Sequence, residues 1–254
     1  MGKILLSAEE LSSGYGRTKI LNNISLGFES GRVTVIVGPN GCGKSTLLKT
    51  LIRFVPLSSG RIVADGKDAA RMTSSELARI VAYLPQKKNI PDLTVMTMVL
   101  HGRFAHLIYP RRYRKEDISI AQDALKTVEL SELADKNMSE LSGGTQQRVF
   151  LAMALAQSSP VILMDEPTSF MDVSYQMKFM ELSRRLADGG KAVVMVLHDL
   201  PATLKYADNI IVMSGGRIAA GGSPEEIFQN KALDKVFGIT MKRTLIESEF
   251  LYYC

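Results

Sequence analysis

The sequence of 254 residues lacks any apolar run long enough to cross a bilayer. Its longest unbroken apolar stretch is residues 149–156, well short of the ~20 that a spanning helix needs. Nor does the start of the sequence read as a secretory leader. Met1 to Ala8 are followed at once by Glu9 and Glu10, so residence in the cytoplasm is expected. Cysteine is scarce: Cys42 and Cys254 are too few for a disulfide framework and are expected to be free thiols. No 20–50-residue period is visible, which excludes a solenoid. Neither sign of charge dominates. Thirty-one Lys and Arg against 26 Asp and Glu leave a net +5, which permits contact with nucleic acid or an anionic surface and demands neither. What remains is an ordinary globular composition, 46% hydrophobic and 22% charged, which excludes whole-chain disorder. The length fits one large domain with a sizeable core.

Four short runs predict buried strands: Val33 to Val37, Ile80 to Leu84, Val161 to Met164 and Ala192 to Leu197. They are apolar on both faces, which points to a parallel sheet covered by helices. Helical spacing alternates with them over residues 116–130 and 175–186, the second stopped by Gly189-Gly190. Ser223-Pro224-Glu225-Glu226 has capping-box spacing and predicts a short helix. Residues 5–7, 24–28 and 61–64 are candidate strands of a smaller antiparallel region. Residues 210–213 and 217–220 read as a hairpin around Ser214-Gly215-Gly216. The pattern is α/β. Residues 88–158 carry helical spacing and no convincing buried strand, so they read as a helical insertion. The division expected is one domain over 1–254: a core of 1–87 and 159–230, a helical subdomain of 88–158 and a tail of 231–254. Within the tail, a packed terminal strand or a dimer contact is expected of residues 237–254. The basic cluster Arg111-Arg112-Tyr113-Arg114-Lys115 is either a solvated approach to a helix or a patch facing acidic lipid or a partner.

The strongest chemical signal is Gly38-Pro39-Asn40-Gly41-Cys42-Gly43-Lys44-Ser45, a full G-x-x-x-x-G-K-[ST] match. It follows a predicted strand and opens an apolar helix. The glycines let backbone N–H groups turn toward phosphate oxygens, and the helix N-terminus favours the anion. Lys44 is placed to reach the β- and γ-phosphates and the Ser45 hydroxyl to bind Mg²⁺. A second apolar strand delivers Asp165 to its carboxyl end, suited to the Mg²⁺ shell. Glu166, one residue further, is suited to polarise a water in line with the γ-phosphate. Gln86 and His198 follow two further strands. Ligands of open α/β sheets bind outside the carboxyl ends of the strands, so four strand ends converge on one Mg²⁺-nucleotide. Ser142-Gly143-Gly144, before the helix predicted at 149–156, offers a second anion site. One nucleotide does not need two such sites in one chain. A symmetric dimer, in which each phosphate loop faces the glycine pair of its mate, uses both. With no arginine finger evident, that contact would supply the charge stabilisation of the transition state.

These residues resemble the ATP-binding subunits of ABC transporters over about residues 5–226. The resemblance implies a P-loop NTPase fold with a RecA-like core, a small antiparallel β region and the helical subdomain. It makes Gln86 the Q-loop glutamine, residues 141–147 the signature, Asp165 and Glu166 the Walker B pair, residues 169–172 the D-loop and His198 the switch histidine. Tyr15, within Gly14-Tyr15-Gly16, matches the aromatic residue that stacks on adenine. The nucleotide set implied is Tyr15, Gly38, Pro39, Asn40, Gly41, Cys42, Gly43, Lys44, Ser45 and Thr46, with Ser142, Gly143 and Gly144. The catalytic set is Glu166, His198 and Gln86, and the Mg²⁺ set is Ser45, Gln86 and Asp165. A narrower likeness, in Val99 to Arg103, His106-Leu107, the 111–115 run and Ala207-Asp208, is to importers of iron–siderophore, haem or cobalamin. Two departures stand out: Thr145 where the signature usually has Gln, which would weaken the contact across the dimer, and Met171 where the D-loop usually has Leu, a nearly volume-conserving change.

The expected partners are therefore a second copy, head to tail, and membrane permease subunits, with an extracytoplasmic binding protein reached indirectly. The expected place is the cytoplasmic face of the membrane. A groove lined by Gln86 and residues 87–99 is expected to receive a permease helix. Three other classes compete. A soluble ABC-type ATPase acting on DNA or ribosomes would carry long coiled coils, and only about 55 residues separate Gln86 from Leu141 without sustained heptads; no nucleic acid partner is expected. A small-molecule kinase gives no role to Ser142-Gly143-Gly144. A module that senses nucleotide without cleaving it gives none to Glu166 and His198. Cys42, inside the phosphate loop, is a position where thiol modification is expected to block ATP.

Overall fold

The computed structural model describes residues 2–86, 90–169, 171–246 and 249–254. The chain opens with two long strands, β1 (Ile4–Tyr15) and β2 (Thr18–Glu29), then β3 (Val33–Val37), α1 (Lys44–Leu51), β4 (Leu57–Ala64) and the short β5 (Lys67–Asp68). Next come α2 (Ser74–Ile80) and β6 (Val81–Leu84), followed by the helices α3 (Val95–Leu100), α4 (Lys115–Thr127) and α5 (Gly143–Ala156). Strand and helix then alternate through β7 (Val161–Asp165), α6 (Val173–Asp188), β8 (Ala192–Val196) and α7 (Leu200–Tyr206). The hairpin β9 (Asn209–Ser214) and β10 (Arg217–Gly222), the short α8 (Pro224–Gln229) and α9 (Ala232–Phe237), and a last hairpin β11 (Lys242–Ile246) and β12 (Glu249–Tyr253) complete it.

Six strands form the central sheet in the order β10-β9-β3-β8-β7-β6, parallel except for the edge strand β10. Side chains of a strand alternate between faces, and here each face has its own core. Val33, Val35 and Val37 of β3, Ile162 and Met164 of β7, and Val193 and Met195 of β8 enter one core together with α3, α4, α5, α6 and α7. Ile36, Leu163, Val194 and Val196 enter the other, against α1 and the antiparallel sheet β2-β1-β4-β5. Burial on both faces is why these strands read as unbroken apolar runs.

The structure lengthens the antiparallel region. The expected strands 5–7, 24–28 and 61–64 lie inside β1, β2 and β4. Register shifts between Ala8 and Leu11 and between Leu11 and Ser13, with Glu10 (φ 49°) and Asn23 (φ 51°) in left-handed backbone, break the two-residue period that would have shown their length. Ile80 ends α2 and does not start the strand. That helix was missed, although Thr73 and Glu76 form a reciprocal capping box. The helix expected at 149–156 begins at Gly143, capped by Ser142, so the glycine pair forms its first turn. The helix expected at 116–130 ends sooner, before Glu129 at φ 56°, and that expected at 175–186 is longer because Asp172 caps it.

Between β6 and β7 the described residues form helices and short 3₁₀ turns, joined by one isolated bridge, Thr94 to Asn137. Arg103 ties α4 to the end of α5 within this stretch. Its guanidinium donates to Asp117 Oδ1 (3.0 Å), Ala156 O (3.0 Å) and Ser158 Oγ (3.2 Å), and both charged side chains are buried. The terminal hairpin packs Tyr252 edge-on against Phe228 (5.5 Å), while Arg243 pairs with Glu225 and lies over the Phe228 and Phe250 rings. Of the tail's acidic residues, Glu247 lies outside the described residues.

Arg103→Ala leaves the Asp117 carboxylate buried without its cation. It is expected to cost about 3–5 kcal/mol, whereas Arg103→Met with Asp117→Leu costs less. Urea unfolding of the two proteins measures the difference.

Candidate nucleotide site

The site begins where β3 stops. The chain turns through residues 38–43 and enters α1, whose N-cap, Gly43, has φ 106°, a conformation side chains resist. Gly38 is required for a different reason: a Cβ there would lie 2.3 Å from the backbone O of Met213. Lys44 is only 6% exposed, and its ammonium donates to the carbonyls of Gly38 (2.6 Å) and Pro39 (3.1 Å), folded back into the loop expected to cradle phosphate. Ser45 Oγ donates to Asp165 Oδ1 at 2.9 Å, joining the loop to the end of β7. Burial pushes the Asp165 carboxyl above its ordinary value; the Ser45 hydrogen bond opposes this and the nearby Glu166 adds to it. Tyr83 donates to the other oxygen (3.4 Å), and burial followed by the Asp165 charge pushes its phenol well up.

Glu166 leaves the strand at φ 51°. Its Oε1 lies 2.6 Å from His198 Nε2, and its Oε2 accepts from Gln86 Nε2 at 2.6 Å and from Ser169 Oγ at 3.4 Å. Three segments thus meet on one carboxylate. The cleft so formed has a volume of about 630 Å³ and is lined by Ile20, Asn40, Gly41, Gly43, Lys44, Ser45, Thr46, Gln86, Glu166 and His198. Among the described residues no three His, Cys, Asp or Glu side chains are grouped to hold a metal ion. A divalent cation here would take the Ser45 hydroxyl and phosphate oxygens, with Asp165 behind, which suits a hard ion that binds few protein ligands.

Several expected residues lie off this cleft. Gly38 and Pro39 serve through the carbonyls that hold Lys44. The Cys42 side chain is buried in the core beneath α1 and burial pushes its thiol up, so the thiol is no open target, contrary to expectation. Tyr15 is half-exposed at the end of β1 and is not among the lining residues, whereas Ile20 of the paired strand is. Ser142, Gly143 and Gly144 do not line it either. Ser142 Oγ accepts from the Thr145 N–H (3.3 Å) and lies 2.9 Å from the Thr145 hydroxyl. Of the D-loop, Phe170 lies outside the described residues, as do Lys87, Lys88 and Asn89. The sequence gives no site role to Ile20 or Tyr83, which nothing in the local pattern marks, and places Gln147 only as the last residue of the signature.

The model of the ABC transporter family matches residues 21–169. The chain belongs to the ABC transporter family. It is 38% identical over 236 residues to the ferric enterobactin transport ATP-binding protein of Escherichia coli, covering 92% of this chain and 87% of that one. It is 36% identical to the iron(3+)-hydroxamate import ATP-binding protein of Bacillus subtilis, covering 92% and 88%. Among solved structures, a nucleotide-free ATP-binding cassette from an ABC transporter superposes with a TM-score of 0.79 at 26% identity, covering 93% of this chain and 96% of that one. The ADP conformation of another such cassette gives 0.80 at 28%, covering 93% and 98%. The protein is thus an ABC ATP-binding subunit, an ATPase coupled to transport. Among its described residues no helix is long and apolar enough to cross a membrane.

Limited treatment of the native subunit with iodoacetamide should label the exposed Cys254 before the buried Cys42, and ATP binding should survive that first label. Peptide mass spectrometry of the singly labelled product reads the order; Cys42 reacting first would contradict the burial.

Proposed function

We propose that two copies of this subunit close head to tail on two Mg²⁺-ATP, at the cytoplasmic face of the membrane, and drive a permease that imports an iron chelate. The observation that carries the catalytic part is the Glu166 carboxylate, bonded by Gln86 and His198 at the open side of a cleft whose other side is Lys44, Ser45 and Asp165. In this reading Glu166 takes a proton from the attacking water as its oxygen bonds to the γ-phosphorus and the bond to the ADP oxygen breaks. His198 holds the γ-phosphate or that water. Lys44 turns from the loop carbonyls to the β- and γ-oxygens. Mg²⁺, when bound near Ser45, Gln86 and Asp165, neutralises charge on those oxygens. Tyr15 covers the adenine. Ser142, Gly143 and Gly144 at the start of α5 meet the γ-phosphate held by the other copy, which explains why they lie off their own cleft.

The iron-chelate part rests on the relatives, three of which are named for ferric enterobactin, iron(3+)-hydroxamate and petrobactin at 36–38% identity. Residues 88–158 are read as the helical subdomain that faces the permease. A second cleft of about 580 Å³ is lined by Arg53, Phe54, Leu77, Ala78, Tyr83, Pro85, Met153 and Gln157, among others. It is apolar, and Phe54 is 74% exposed on it. This cleft, beside Gln86 and not along residues 90–99, is the site read for the permease helix.

Glu166→Gln is expected to bind ATP and dimerise while hydrolysis falls about 10²–10⁴-fold; parental turnover would remove Glu166 as the base. Lys44→Ala should lose tight ATP binding in an equilibrium titration. For the partner, Phe54→Cys in a Cys254→Ser background, crosslinked in native membranes, should give an adduct with a membrane subunit. Adducts with other copies alone would count against transport coupling through this cleft.

A further inference from the structure

We infer that Gln147 is a positioning residue that sets the pose of Glu166 and makes the catalytic loop of each copy answer to the nucleotide of the other. Gln147 lies in the second turn of α5 and is 6% exposed. Its Nε2 donates to the carbonyl O of Pro167 at 2.9 Å. Pro167 is buried and has no N–H, so its carbonyl is the one backbone group through which this residue can be fixed, and a buried carbonyl requires a partner.

Pro167 directly follows Glu166, whose φ of 51° is uncommon outside glycine. Such a backbone persists only where its surroundings over-determine it. The Ser169 N–H donates to Glu166 O (3.3 Å), Gln176 of α6 donates to Met171 O (3.1 Å), and Gln147 of α5 holds Pro167. The α6 ties, to Thr168 O (3.5 Å) and Met171 O, lie two and five residues beyond Glu166, whereas the α5 tie is on its immediate neighbour. Releasing it frees the peptide that aims the carboxylate at His198 and Gln86.

The second half of the inference rests on the dimer proposed above. Gly143 stands one helical turn before Gln147 on the same helix. If the start of α5 meets the γ-phosphate of the other copy, a displacement of the helix there reaches Pro167 through the Gln147 hydrogen bond. The two sites are then joined within each chain: α5 reads one nucleotide and the loop it holds hydrolyses the other.

The test uses the full-length subunit with Gln147→Met, which keeps the length and removes the donor, and Gln147→Glu, which sets an acceptor against the carbonyl. For Gln147→Met, kcat is expected to fall about 10–100-fold, the usual cost of losing a residue that orients a catalytic group, with KM for ATP unchanged because the phosphate loop is untouched. The Hill coefficient for ATP, expected above 1 in the parent on the dimer reading, should fall to 1. For Gln147→Glu, kcat relative to the parent should recover as pH is lowered, because a protonated carboxyl again donates to Pro167. Parental kcat in Gln147→Met, or no such recovery in Gln147→Glu, overturns the positioning role, including the case where the Met protein is merely unstable. Retained cooperativity in Gln147→Met overturns the link between copies. Failure of the dimer reading shows elsewhere, as a monomeric Glu166→Gln protein in ATP and a parent without cooperativity. It would overturn the link and leave the kcat and pH results to judge Gln147 on its own loop.

Discussion

The arrangement depends on a carboxylate that no single element could hold. Glu166 sits just past β7, Gln86 just past β6 and His198 just past β8, and these strands are adjacent and parallel. Parallel pairing brings their carboxyl ends to one edge of the sheet, and hydrogen bonds of 2.6 Å close the gap. β3, next to β8, ends in the phosphate loop on the same edge. Chemistry at this edge therefore requires the alternation that buries both faces of the sheet: a one-residue slip in any of these strands would exchange its two cores and displace its terminal polar group.

Charge is handled by the same geometry. Asp165 and Glu166 are consecutive yet live differently. Asp165 is buried, bonded to Ser45 and Tyr83, and its carboxyl is pushed up. Glu166 is turned outward by its left-handed backbone to where water and phosphate would be. One bend thus separates a carboxylate bonded to Ser45 from one that opens on the cleft, so two adjacent acids sit in different environments.

Much of this was legible because the central strands are short, apolar and end on polar residues, and because the phosphate loop has a fixed spacing. The family, the strand-end convergence and the caps at Ser142 and Ser223 follow from local pattern. What was not legible depends on distant parts. The lengths of β1 and β2 are hidden by bulges that break alternation. The burial of the Cys42 thiol is set by the core beneath α1. Gln147 looked like one more polar residue of the signature, because its partner, Pro167, is twenty residues away. The helix α2 is another matter: Thr73 and Glu76 stood at capping-box spacing and the signal was simply there to be read.

The narrower likeness to iron-chelate importers also acquires a physical content. Arg103 is spent on Asp117 and the end of α5, and His106 Nε2 lies 2.9 Å from Gln157 O. Asp208 accepts from the Val33 N–H (2.7 Å) and from Arg184 (2.6 Å), bracing the start of β3. None of these side chains faces the nucleotide cleft. They brace the helices between β6 and β7 and the first residue of β3. Gln157 donates from the end of α5 to Ala78 O and Val81 O, across the wall of the second cleft. This bracing therefore bears on the second cleft more directly than on the cleft at the strand ends.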